Sequence, residues 1–155
     1  MTCDITPGLL LVGVSGKLLD RLQSAQNWAA RVVLQIPRVL PVALDQLHWL
    51  PIKERIKYKL ALFAFKAIHR LAPDYISDLV SSYTVDRSLR RGESNLLLTI
   101  PKSRLVKIGV RPFRVAGPRA WNELPAYLRA ITKLSDFKKR LKTHFYRLAF
   151  NVKRQ

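Results

Sequence analysis

The stretch PIKERIKYKLALFAFKAIHRLAP, residues 51 to 73, decides the fold class. Ile52, Ile56, Leu60, Phe63 and Ala67 recur at spacings of three and four, which aligns them on one face of a helix turned to a core. Pro51 suits the first position of such a helix, and the helix must stop before Pro73. Its first turns carry Lys53, Arg55, Lys57 and Lys59, whose aliphatic stems can pack while their charged heads stay in water.

Upstream of this segment the same periodicity returns. Leu18, Leu22, Ala25, Ala29, Val32 and Ile36 predict a helix from Lys17 to Ile36, opened by Ser15 or Gly16 and closed by Pro37. A short helix is expected from Pro41 to His48. Downstream, Pro73 opens a brief helix over Asp74 to Val80. Ser81 to Ser94 is polar, contains Gly92 and reads as a loop. Asn95 to Ile100 and Arg104 to Val110 read as two short strands around Pro101-Lys102-Ser103, a hairpin. Past Arg111-Pro112 the chain can re-enter helix through Trp121, with Gly117-Pro118 expected to break or kink it. A last helix runs from Ser135, a good N-cap, to about Phe150, with Phe137, Leu141, Phe145 and Leu148 as its buried stripe. These readings predict a mainly α fold with a small β-hairpin, an α+β arrangement of orthogonal helices around one core. They divide the chain into an N-terminal segment 1–14, a helical subdomain 15–80, a linker 81–94, a basic hairpin-plus-helix subdomain 95–150 and a basic tail 151–155.

The 155 residues include 28 Lys and Arg against 10 Asp and Glu, a formal charge of +18. The excess is concentrated: residues 101 to 155 hold 15 basic and 2 acidic side chains, whereas residues 1 to 50 hold 4 and 3. So one-sided a field points to a polyanionic partner, since bound phosphates relieve self-repulsion and release counterions. No run of apolar residues approaches the ~18 that a membrane span needs, and no basic residue precedes the apolar run Leu9 to Val12 as a secretory signal would require. With Cys3 alone, an internal disulfide is impossible. An intracellular protein, nuclear or cytoplasmic, is expected.

Catalytic constellations are hard to assemble from these residues. Metal-dependent nucleotidyl transfer requires paired carboxylates, yet no two acids are adjacent. In Tyr83-Thr84-Val85-Asp86 the following position is Arg87, where a second Asp would be needed. Asp74 and Asp78 share a helical face and could hold a metal, but a surface pair near a favourable helix N-terminus is the commoner arrangement. His48, His69 and His144 lie far apart, no glycine-rich phosphate cradle precedes a helix, and Gly13-Val14-Ser15-Gly16 lacks the spacing of a nucleophile elbow. The expectation is a non-enzyme with no cofactor, no metal and no small-molecule substrate.

Two segments, Leu47-His48-Trp49-Leu50-Pro51-Ile52 and Gly117-Pro118-Arg119-Ala120-Trp121-Asn122-Glu123-Leu124-Pro125, carry a family resemblance. With residues 22–31, 65–76 and 137–144 they occur in the order found in LINE-type, non-LTR retrotransposon polyproteins. The chain resembles the C-terminal tail of those proteins, downstream of the reverse transcriptase, from about Leu10 to Phe150. The resemblance implies a module once attached to an RNA-directed DNA polymerase and endonuclease that copies element RNA at a nicked target. The nuclease and polymerase portions are missing from this chain. Residues 1 to 9 depart from the family and the link from Ile36 to Leu44 is short, which fits a truncated copy.

For nucleic-acid contact, Arg104, Lys107, Arg111, Arg114 and Arg119 place five cations within sixteen residues, and the guanidinium fork matches phosphate oxygens. Lys138, Lys139 and Lys142 form a second patch on the last helix. Trp49, Pro51, Pro118, Trp121, Asn122 and Pro125 are expected to be structural, the rings packing turns onto the core, while Phe113, Tyr127 and Tyr146 stand among cations where stacking on bases is an alternative to packing. The expected partner is RNA or DNA, read with weak sequence preference. The rival expectations are a packing module for the reverse-transcriptase body and a non-functional retroelement remnant.

Overall fold

A computed structural model describes residues 13–36, 42–82, 96–101 and 113–150. Among these, seven helices follow in order: α1 Gly16–Leu34, α2 Val42–Gln46, α3 Ile52–Ile68, α4 Asp74–Ser77, α5 Phe113–Asn122, α6 Ala126–Arg129 and α7 Leu134–Phe150. The fold is mainly α. The described residues do not support the expected hairpin: Leu98, in the middle of its first strand, makes an isolated antiparallel bridge to Ser82, and the second strand, Arg104 to Val110, lies outside them. Backbone groups at Leu98 are satisfied by a helix, as shown below, so the segment needs no neighbouring strand.

α3 is the central element, packing most extensively on α5 and then on α7. Leu60, Ala61, Leu62, Ala64, Phe65 and Ala67 are all buried, so the second half of α3 is covered on more than the single stripe its spacing predicts. The three alanines permit close approach of neighbouring helices. Phe65 stacks on Phe137 of α7 at 4.2 Å between ring centroids and lies 6.4 Å from the Trp121 ring of α5. Leu50, Leu98, Leu124, Leu128, Leu141 and Phe145 complete this core. It draws on both the 15–80 and the 95–150 segments. Full burial of an aromatic or leucine side chain contributes about 1.5–3 kcal/mol, so the Phe65–Trp121–Phe137 group and the surrounding leucines both contribute substantially.

α1 presents a different face from the one expected. Leu18, Val32 and the exposed Ala25 and Ala29 look outward, with Val32 76% exposed, while Leu19, Leu22, Gln23, Gln26, Ala30 and Leu34 turn inward. The reason is polar. Pro51 gives α3 no side-chain cap, and the Ile52 N–H, an orphan donor at a helix start, donates to Gln23 Oε1 at 2.9 Å. Gln26 Nε2 donates to the Leu50 carbonyl at 2.9 Å. Two glutamines of α1 therefore clamp the turn into α3 and set the rotation of α1.

Three further expectations are corrected. Gly117 and Pro118 lie inside α5 without ending it; both are buried against α3, and a Cβ on Gly117 would fall 2.6 Å from Phe113 Cε2, so glycine is what lets that ring lie along the helix. Leu148 does not join the buried stripe of α7 and is 50% exposed, whereas Phe137, Leu141 and Phe145 are buried. α7 starts at Leu134, with the Phe137 N–H donating to the Lys133 carbonyl at 3.0 Å, so Ser135 is inside the helix and does not cap it.

Candidate nucleic-acid interface

The expected contact residues fall into three groups. Arg104, Lys107 and Arg111 lie outside the described residues. Arg114 and Arg119 are exposed on α5, whose Val115, Ala116, Gly117, Pro118 and Trp121 are buried. Lys138, Lys139 and Lys142 are exposed on α7, flanking the inward row of Phe137, Leu141 and Phe145. Lys138 and Lys142, four residues apart, share one flank of that helix. Arg140 and Arg147 are exposed as well. All of these cations are exposed, and among the described residues none has a carboxylate partner.

The aromatic and proline positions do mechanical work. Trp121 is buried, and its Nε1–H donates to the Leu96 carbonyl at 2.7 Å. Asn122 accepts from the Leu98 N–H and donates to the Leu98 carbonyl, each at 2.9 Å. Pro118 is buried. Pro125 precedes α6, its carbonyl accepting from the N–H groups of Leu128 and Arg129. Pro51 does the same for α3 through Arg55. Trp49 rests one side against Ala30, Ala43 and Leu44. Phe113 meets Phe63 edge-on at 6.4 Å, and the Tyr146 hydroxyl donates to the Asp45 carbonyl at 3.0 Å and contacts its carboxylate. Tyr127 is 56% exposed, its hydroxyl 3.4 Å from His144 Nδ1. Partial burial holds the His144 imidazole below its ordinary pKa and pushes the Tyr58 phenol above its own, so both are neutral at pH 7.

One open groove brings α3, the α2–α3 turn and α7 together. It holds about 320 Å³ and is lined by His48, Trp49, Arg55, Tyr58, Lys59 and Lys142 over a floor at Leu50. Of the expected contact residues that are described, only Lys142 lines it. Arg55 and Lys59 come from α3, outside the basic C-terminal third; their spacing of four, with Tyr58 between and Trp49 just upstream, was the sequence signal for this grouping. Among the described residues no carboxylate lines the groove.

The carboxylates assemble no metal site: among the described residues no cluster of three or more His, Cys, Asp or Glu could hold an ion. Asp74 and Asp78 are exposed, the Asp78 N–H closing α4 on the Asp74 carbonyl. Cys3 and Tyr83 to Asp86 lie outside the described residues. Among the described residues no helix is long and apolar enough to cross a membrane. Comparison with protein-family models, with curated proteins and with solved structures returns no match.

Proposed function

We propose that this chain is a non-catalytic nucleic-acid-binding module that contacts RNA template or target DNA through the phosphate backbone, as an accessory part of a retrotransposon reverse-transcriptase polyprotein. The observation that carries the reading is the exposure of Arg114, Arg119, Lys138, Lys139, Arg140, Lys142 and Arg147, with no carboxylate partner among the described residues, in a third of the chain with 15 basic and 2 acidic side chains. Solvated cations of this kind exchange bound counterions for phosphates, which makes affinity steeply salt-dependent. The LINE-tail resemblance supplies the parent machine, and the absence of base-reading geometry at these positions goes with weak sequence preference.

The test is a salt-titrated binding measurement of the purified chain with single-stranded RNA, single-stranded DNA and duplex. Neutralising roughly 6–8 phosphates lowers affinity about a thousandfold between 50 and 200 mM salt. Changing Arg111, Arg114 and Arg119 to Glu abolishes retention and leaves helical content intact. Salt-insensitive binding, or none at 50 mM, defeats the reading.

A second reading has its own observation. The outward side of α1 exposes Leu18 (46%), Trp28 (62%), Val32 (76%) and Val33 (57%), an apolar strip of the sort that marks protein contacts. A packing module for the polymerase body would use this strip. Concentration-dependent self-association that Val32→Lys suppresses, with nucleic-acid binding absent, would favour it.

A further inference from the structure

Binding through phosphates alone needs only scattered cations, yet the groove between α3, the α2–α3 turn and α7 combines three cations with three rings. Among the described residues its lining is Arg55, Lys59 and Lys142 beside His48, Trp49 and Tyr58, with Leu50 beneath and no acid. Arg55 and Lys59 stand one turn apart on α3, and Lys142 faces them from α7, so cations from two helices converge on one opening. Both larger rings are half-buried, which orients them before any ligand arrives: Trp49 is braced by Ala30, Ala43 and Leu44, and Tyr58 by the main core. His48 is stacked on Tyr146 at 5.8 Å and 18° between planes. Pre-ordered rings lose little entropy when a base lies against them.

We infer that this groove receives one unstacked nucleobase of single-stranded RNA or DNA, held against Trp49 and Tyr58 while Arg55, Lys59 and Lys142 take the flanking phosphates. The inference rests on the nucleic-acid reading above and refines it. At about 320 Å³ the groove lies at the small end of the roughly 300–1,000 Å³ range of ligand clefts, which suits a single nucleotide and not a stacked run. A phosphate site alone would not need the rings, and an apolar-peptide site would not need three cations without a counter-charge. Stacking is indifferent to base identity, so the site adds affinity for single strands without adding a code.

The experiment compares, on the full wild-type chain at one moderate salt concentration, oligo(U) and oligo(dT) with an abasic oligonucleotide of the same length and charge and with the duplexed strand. Bases in a stacking site improve binding about tenfold over the abasic strand, and the duplex gains nothing from the groove. Photo-crosslinking with 4-thiouridine in the oligonucleotide then maps the contact to residues 48–59. Tyr58→Leu brings the base-bearing and abasic strands to equal affinity, while Lys142→Gln weakens both. Equal affinity of abasic and base-bearing strands on the wild-type chain overturns the groove and leaves the electrostatic reading standing; so does a crosslink confined to α5. Failure of every strand to bind at low salt overturns both.

Discussion

At Asn122 a single carboxamide does the hydrogen bonding that a neighbouring strand would otherwise provide, accepting from and donating to Leu98 at 2.9 Å each. Leu98 is only 5% exposed, so its amide groups have little access to water if that carboxamide is removed, and buried groups left without partners cost about 1–3 kcal/mol each. Asn122→Leu should therefore lower stability by about 2–3 kcal/mol in chemical denaturation. Asn122→Asp keeps the acceptor and loses the donor, which places its cost between wild type and Leu. If both variants melt within about 0.5 kcal/mol of wild type, the staple does not hold the 96–98 segment. The adjoining Trp121 Nε1–H bond to Leu96 anchors the same segment two residues earlier, so two consecutive residues at the end of α5 hold the 96–98 segment.

Helix ends show another economy. Gln35, His48 and Arg70 all adopt positive φ, 53°, 52° and 51°, and each is followed by an N–H that reaches back five residues: Ile36 to Arg31, Trp49 to Leu44 and Leu71 to Lys66. This is the left-handed stop usually given to glycine, here with a Cβ that costs about 1–2 kcal/mol in that conformation. Arg70 is exposed, so Arg70→Gly removes the strain without touching the core. After allowing for the ~0.5–1 kcal/mol of added chain entropy, it should raise stability by about 0.5 kcal/mol or slightly more, read as a higher denaturation midpoint; a lower midpoint would show that the Arg70 stem packs. None of these stops was marked by Gly or Asn, which is why the sequence located them only to within a few residues. α3 and α7 were legible because their inward rows are apolar. α1 was legible as a helix but not in rotation, since two of its inward residues are glutamines whose value lies in satisfying Leu50 and Ile52, a tertiary fact without a periodic signature. At Leu98 a side chain on α5 supplies the partner that alternation attributes to a second strand, and the expected second strand, Arg104 to Val110, lies outside the described residues.

Over the whole molecule, a charge of +18 with its described cations unpaired opposes compactness. Thermal melts without nucleic acid should thus shift upward by some degrees as NaCl rises from low to moderate concentration, because screening weakens that repulsion. The same salt weakens polyanion binding, so the two measurements move in opposite directions; a melt that falls with salt would mean that attractive pairs dominate. Composition shows the electrostatic asymmetry of the last third of the chain, but not the groove. Arg55 and Lys59 meet Lys142 only because α7 folds back onto α3, and a charge count along the sequence has no access to that encounter. Phe150 leans on the Ala30, Ala43 and Leu44 group, and Tyr146 hydrogen-bonds Asp45 across 101 positions of chain. During synthesis the leading helices consequently wait for the closing one: a nascent polypeptide halted before α7 holds Leu50 and Phe65 without the cover of Phe137, Leu141 and Phe145, and is the species on which chaperones and proteases would act.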